Sequence, residues 1–360
     1  MNHLELFSGI GGFRRALDLL SQDNVMDFRC VGYSEIDANA RKTYQSIYEI
    51  NDEEIDMGDI VSFTESSKSM ALLRKVRFDL LTGGFPCQTF SMMGNQDGFE
   101  DEERGQMFFR IMDIVDAKHP KYLLLENVKN LFTHDNKRTY RRIEVELRKR
   151  GYTPYPNIFN SADFGLPQTR NRVIIFATKS SVPKGFAETY TPENVKKHFW
   201  KNIDTMSVLT YESTLDILMK NVPAKYFLSD RIKPTILSDG SANFKSNSEI
   251  NKMVARTLTA SMHKMHRACQ DNYYSQDFIE SNGAINPVLT CTKEELATRD
   301  IRKITPQEAF MLQGFPSDFA DKALRAGVAD GALYKQAGNA VSVNTIYAVL
   351  YYLITHKAIK

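Results

Sequence analysis

The chain has 360 residues, 46 Lys and Arg against 44 Asp and Glu, and 42% hydrophobic residues. That apolar content can bury the core of one large domain or two modest ones, and a net charge of +2 by itself neither requires nor excludes nucleic acid. No apolar run is read as approaching 18 residues and no basic segment precedes the first strand pattern, so neither a membrane span nor a signal peptide is expected.

The first strand, Leu4–Phe7, runs into Ser8-Gly9-Ile10-Gly11-Gly12 and a helical pattern over 12–21. Glycines there let a ligand approach the backbone, with helix N–H groups facing it. Cys30–Ser34 is the next strand, and it ends in Glu35-Ile36-Asp37. A carboxylate at that strand end can accept from both hydroxyls of a ribose. After a helix over 37–49, Gly58-Asp59-Ile60 offers a third acidic point, suited to an adenine amino group. The spacing Gly9-Ile10-Gly11-Gly12 departs from G-x-G-x-x-G. It favours a nucleoside without pyrophosphate, such as S-adenosylmethionine, over a dinucleotide.

A third strand, Phe78–Thr82, leads into Gly83-Gly84-Phe85-Pro86-Cys87-Gln88-Thr89-Phe90-Ser91. Its cysteine sits on a strand-to-loop turn at the carboxyl edge of the sheet, where open α/β folds place their chemistry. The polar, glycine-flanked stretch 87–99 reads as a closing loop. A helical pattern over 105–117 precedes the strand Tyr122–Glu126, followed by Asn127-Val128. If these two strands are parallel neighbours, Cys87 and Glu126 meet as nucleophile and acid. A helix over 136–150 and strands Tyr155–Phe159 and Val173–Ala177 complete the alternation, which predicts a parallel sheet with crossover helices.

From 179 to 301 the alternation fades. This stretch holds the single Trp, Trp200, and the points Thr257-Leu258-Thr259 and Leu289-Thr290. Residues 250–270 carry Lys252, Arg256, Lys264 and Arg267 with no acidic residue, and 137–150 carry seven Lys or Arg beside Glu144 and Glu146. Each run is either a solvated face or a phosphate-facing surface. Periodicity returns over Thr305–Leu312 and closes with a helix over Ser342–Leu353. The cysteines Cys30, Cys87, Cys269 and Cys291 have no metal-ligand spacing, so reduced thiols and no metal site are expected.

These blocks, in this order, resemble the C5-cytosine DNA methyltransferase family of the prokaryotic restriction-modification type. Leu6–Phe13, Glu35 and Asp59 look like its cofactor motifs, and Gly84-Phe85-Pro86-Cys87-Gln88 like its nucleophile motif. Glu126-Asn127-Val128 looks like the base-holding motif and Gln168-Thr169-Arg170-Asn171-Arg172 like the arginine motif. Ile304–Ala309 with Gln313–Pro316, and Gln336–Val341, resemble the last two. The likeness covers 3–178 and 302–358. Met93 and the pair Glu102-Glu103 depart from the family's pattern.

The resemblance implies an α/β fold with a Rossmann-like class I methyltransferase sheet and a smaller, irregular target recognition domain inserted near the C-terminal end. The expected division is a catalytic domain over 1–178, the recognition domain over 179–301, and a return to the catalytic domain over 302–360. The implied activity is methyl transfer from S-adenosylmethionine to C5 of a flipped-out cytosine in a specific duplex sequence, through a covalent bond from Cys87 to C6. Cytosine C5 is too weak a nucleophile unaided, and thiolate addition at C6 makes it enamine-like. Glu126 would hold N3 and the exocyclic amine and supply a proton. By resemblance Arg172 would contact O2 and orient Glu126, with Arg170 a further catalytic-site arginine, a phosphate contact or loop support.

Cofactor contacts are implied for Phe7, Gly9, Ile10, Gly11, Glu35, Ile36, Asp59, Ile60, Pro86, Met107 and Asn339. DNA contacts are expected at Gln88, Ser91, Arg256, Lys264 and Arg267. The enzyme is expected to work as a monomer on double-stranded DNA, in the cytoplasm on the nucleoid, with a cognate restriction endonuclease as its candidate partner. The competing functions are a tRNA cytosine-C5 methyltransferase on the same scaffold and a catalytically silent DNA-binding regulator.

Overall fold

The computed structural model describes residues 1–86, 106–133, 137–241, 244–245 and 248–360. Cys87, Gln88 and Ser91, with the loop expected over 87–99, lie outside the described residues.

Seven strands form one sheet: β1 (Asn2–Leu6), β2 (Arg29–Ser34), β3 (Ile55–Asp56), β4 (Leu80–Gly84), β5 (Tyr122–Val128), β6 (Thr153–Asn160) and β7 (Asn171–Thr178). Their order is β3-β2-β1-β4-β5-β7-β6. The six expected strands are present, and the two-residue β3 is an addition too short to announce itself in a sequence. The inner strands β4 and β5 bury Leu80, Leu81, Leu123, Leu124 and Leu125 completely, as a parallel sheet covered on both faces requires.

One expectation is corrected. The sheet is not all parallel: β7 runs antiparallel to both β5 and β6. β6 and β7 are joined by a connection of ten residues, 161–170, that holds no crossover helix, only a single 3₁₀ turn at Ser161–Phe164. A parallel pair would need a longer crossover.

Helices α1 (Gly12–Gln22), α2 (Ala38–Ile47), α3 (Ile60–Glu65), α4 (Ser67–Lys75), α5 (Gln106–Lys118) and α6 (Arg138–Lys149) connect the strands. Three start on side-chain caps. Asp37 accepts from the N–H groups of Asn39 and Ala40, Asp59 from those of Val61 and Ser62, and Ser66 from that of Ser69.

The chain divides into two compact units. The first is 1–160, 171–208 and 345–360, and the second is 161–170 and 209–344. The first holds the sheet. The second has its own apolar core, with Leu228, Ile236, Ile250, Tyr273 and Ile301 buried together. These are units of packing, and the functional division expected at 179–301 is a separate matter.

The stretch 336–355 carries no charged residue. Asp330–Thr355 is long and apolar enough to cross a membrane by length and composition. It is broken at 340–342 into helices Asp330–Asn339 and Val343–Thr355, and it is mostly buried within the protein. It therefore has the properties of core helices.

Candidate active site

β4 and β5 lie side by side in parallel register, with Gly83 opposite Leu125 and Gly84 opposite Glu126. The chain leaving β4 therefore emerges beside Glu126. Asn127 holds it there: its Nδ2 donates to the Phe85 carbonyl at 2.9 Å. Phe85 is buried and Pro86 is exposed at the last described position before Cys87.

Glu126 is 8% exposed, and one carboxylate oxygen lies 2.9 Å from Nε of Arg172. The register explains the pair. On β7 Arg172 sits opposite Val128, two residues along β5 from Glu126. Glu126, Val128 and Arg172 thus share a face, and Glu126 and Arg172 are diagonal cross-strand neighbours. The reversal of β7 is what permits this. In a parallel sheet the start of β7 would lie at the Tyr122 end of β5, roughly 13 Å along the strand from Glu126 at about 3.3 Å per residue. The Arg172 guanidinium also donates through Nη1 to the Asn171 carbonyl at 2.9 Å, which fixes its plane.

The other arginine of the motif does something else. Arg170 is 2% exposed and belongs to the second unit. Its Nη1 donates to the Leu258 carbonyl at 3.2 Å, and its Nη2 to Gly338 at 3.1 Å and Ala340 at 2.7 Å. These bonds give loop support, one of the roles expected for Arg170. Gln168 acts alike, donating to the Leu312 carbonyl and accepting from the Leu258 N–H. Gly338 is required by close approach, because a Cβ there would lie 2.2 Å from the Thr259 carbonyl carbon. Asn339, next along, is exposed.

The glycine turn after β1 is held from two sides. Glu35 accepts from the Gly9 N–H at 2.8 Å through Oε2 and from the Asp37 N–H at 2.7 Å through Oε1. Beneath the turn, the Tyr48 hydroxyl donates to the Gly11 carbonyl at 2.6 Å. Gly11 has φ +79°, and a Cβ would meet the Tyr48 ring at 2.3 Å, so only glycine serves there. Tyr48 was not foreseen. Its signal was present as a Tyr44/Tyr48 pair at i,i+4, marking the buried face of α2 and its end.

Around this turn, Ile36 is 74% exposed and Phe7 half-buried, whereas Ile10 and Ile60 are buried. Met107 packs partly buried against the main core. Asp59 caps α3. Burial opposes its charge, but the Ser62 hydroxyl and the Ser62 and Val61 N–H groups outweigh this and hold its carboxyl below the usual range. Glu35, Asp59, an exposed isoleucine and a lysine- and arginine-free turn over 7–12 fit an uncharged ribose and an adenine better than a pyrophosphate.

The basic stretch 250–270 is less free than its composition implies. Lys252 pairs with Glu249 at 2.6 Å, and Arg267 with Asp271 at 2.7 Å. Both acids lie immediately outside 250–270. Arg267 also donates to the Ser261 and Thr259 hydroxyls, and Arg256 to the carbonyls of Glu249 and Asp271. Arg256 and Arg267 thus brace their own segment while remaining partly exposed. Lys264 is exposed. In the 137–150 run, Arg148, Lys149 and Arg150 pair with Glu144, Glu146 and Asp116.

Comparison with known proteins places this geometry. A family model described as C-5 cytosine-specific DNA methylase matches residues 1–355. The Type II methyltransferase M.SsoII of Shigella sonnei is 36% identical over 350 residues, covering 96% of this chain and 78% of that protein. M.HpaII of Haemophilus parainfluenzae, also a Type II methyltransferase, is 32% identical over 369 residues, covering 96% and 87%. In fold, the chain is similar to the Entamoeba histolytica methyltransferase EhMeth, with a TM-score of 0.72 at 20% identity over 100% of this chain and 99% of that one. The chain belongs to the C-5 cytosine-specific DNA methylase family and is a DNA cytosine-5 methyltransferase.

Proposed function

We propose that this enzyme methylates C5 of a cytosine flipped out of a specific duplex DNA sequence, through a covalent bond between Cys87 and C6. The observation that carries the reading is the Glu126–Arg172 pair at the carboxyl end of β5, in register with the strand end from which Phe85-Pro86 leads to Cys87. The Cys87 thiolate adds to C6 and makes C5 nucleophilic. Glu126 holds N3 and the exocyclic amine and delivers a proton as charge builds there. Arg172 orients Glu126 and contacts O2. Once C5 carries its new group, loss of the C5 proton and departure of the Cys87 sulfur restore the aromatic ring. Extrusion of the base is needed because C6 is unreachable within a stack, and it costs a few kcal/mol.

S-Adenosylmethionine, when bound, supplies the electrophilic methyl group. Glu35 would take the ribose hydroxyls, Asp59 the adenine amine, and Ile36 an adenine face, beside the turn that Tyr48 supports. Sequence choice is assigned to residues within 179–301, with Arg256, Lys264 and Arg267 the candidates of the basic stretch. The Type II names of M.SsoII and M.HpaII support a partner endonuclease at the same site.

A duplex carrying 5-fluorocytosine at the target tests the chemistry, since fluorine at C5 blocks elimination. The wild-type enzyme should form a denaturation-resistant adduct and Cys87→Ala none. An adduct of equal yield through Cys30, Cys269 or Cys291 would sink the assignment.

A further inference from the structure

The second unit contains an open cleft of about 600 Å³ that the chemistry above does not use. Its walls include Lys225, Ser229, Arg231, Thr235, His266 and Lys303. Four of these six are nitrogen bases and two are hydroxyl donors, and among the described residues no acidic side chain lines the cleft. The nearby acids are engaged. Asp330 is held by Lys225 at 2.6 Å and by the Tyr226 hydroxyl at 3.0 Å, and Asp230 by Lys233 at 2.9 Å.

Lys303 is the informative group. Its ammonium lies 5.1 Å from the centre of the Tyr334 ring and 6.0 Å from that of Tyr226. Two aromatic faces thus stabilise the cation without neutralising it. Burial disfavours the charge and lowers its pKa, Asp330 raises it, and the neighbouring Lys225 lowers it further. Among the described residues no carboxylate forms an ion pair with Lys303, and a half-buried cation of this kind is a charge whose desolvation an incoming anion would offset. Arg231 is exposed on the same cleft, and a guanidinium there can meet phosphate oxygens in bidentate fashion.

We propose that this cleft seats a backbone phosphate of the DNA duplex, with Arg231 and Lys303 as its main donors and Ser229 and Thr235 as secondary ones. The assignment rests on the DNA-methyltransferase reading of the chain and adds a positioning contact outside the 250–270 stretch. A contact of this kind sets register on the duplex and carries no base specificity.

The test is the salt dependence of binding, by fluorescence anisotropy, to a cognate and a scrambled duplex. Each phosphate contact contributes about 0.9 to the slope of log K against log salt. Arg231→Gln/Lys303→Met should lower that slope by about 0.9, equally on both duplexes. The exposed Lys68→Met in α4 sets the baseline for removing a remote charge. Lys303→Arg should keep the slope. If the double variant proves unfolded by circular dichroism, Arg231→Gln alone should still lower the slope below that of Lys68→Met, by at most about 0.9. Slopes equal to that of Lys68→Met, in a wild type that methylates duplex DNA, overturn the cleft and leave the activity standing. A wild type that transfers no methyl group to duplex DNA overturns the reading beneath it. Calorimetric titration with inorganic phosphate separates the sources. Tight phosphate binding, abolished by the double variant without any change in slope, overturns the DNA assignment in favour of a free anion.

Discussion

Arg172 shows how much a single residue owes to its register. It meets Glu126 because two strands run in opposite directions and both side chains stand on one face of the sheet. Arg172→Gln should remove the charge-assisted bond and slow single-turnover methylation by roughly ten- to a hundredfold, from about 1.5–3 kcal/mol. Arg172→Lys should recover only part, because an ammonium cannot reproduce the planar fork. Unchanged single-turnover rates in Arg172→Gln would remove Arg172 from the site. Arg170, two residues earlier, is chemically identical yet sits on three backbone carbonyls. Nothing in the five-residue motif separates these fates, since both arginines carry the same donors and only the fold decides which acceptors they meet.

At the scale of elements, the helix Pro306–Met311 is a case where local signals sufficed. Thr305 and Glu308 form a capping box, with Pro306 at the first turn. Its deeper role could not be foreseen. Glu308 is fully buried, accepts two bonds from Arg302 at 2.7 and 2.9 Å, and accepts from the N–H groups of Thr305 and Met219. Removing it strands a buried guanidinium and two backbone donors at once. Glu308→Ala should cost about 3–5 kcal/mol by chemical denaturation, and Glu308→Gln, which keeps the shape and some acceptors, distinctly less. An equal cost for the two would mean that packing rather than charge pairing is at stake. β7 teaches the same lesson: a continuous apolar run marked the strand correctly, but its direction depended on the ten-residue connection before it, because such a run has no polarity.

For the whole molecule, pH should act through β1, which buries two titratable side chains completely. His3 is kept neutral: burial, Arg14 and the N-terminal amine lower its pKa from 6.5 to about 3. Glu5 is kept protonated: burial raises its pKa from 4.5 to about 8, against the opposing pull of Arg14, the Arg14 N–H and the Tyr44 hydroxyl. Between pH 6.5 and 3 the unfolded chain binds the extra proton at His3, so its contribution is lost as pH falls. Between pH 4.5 and 8 the folded chain binds the extra proton at Glu5, so its contribution is lost as pH rises. These two groups place the optimum between about 4.5 and 6.5, and Glu5→Gln should flatten the decline toward pH 8 in a denaturation series. A decline as steep in that variant would assign it to other groups. The sequence by itself determined the strand-loop-helix order, the glycine turn, the two acidic strand ends and the family, because each is carried by periodicity or by neighbours along the chain. Tertiary structure alone decided the direction of β7, the register that sets Arg172 diagonal to Glu126, the bonding partners of Arg170, Arg256 and Arg267, and the cationic cleft. Each of these turns on which donors and acceptors distant segments bring into contact, and the charge of a stretch says nothing of the acids that fold against it.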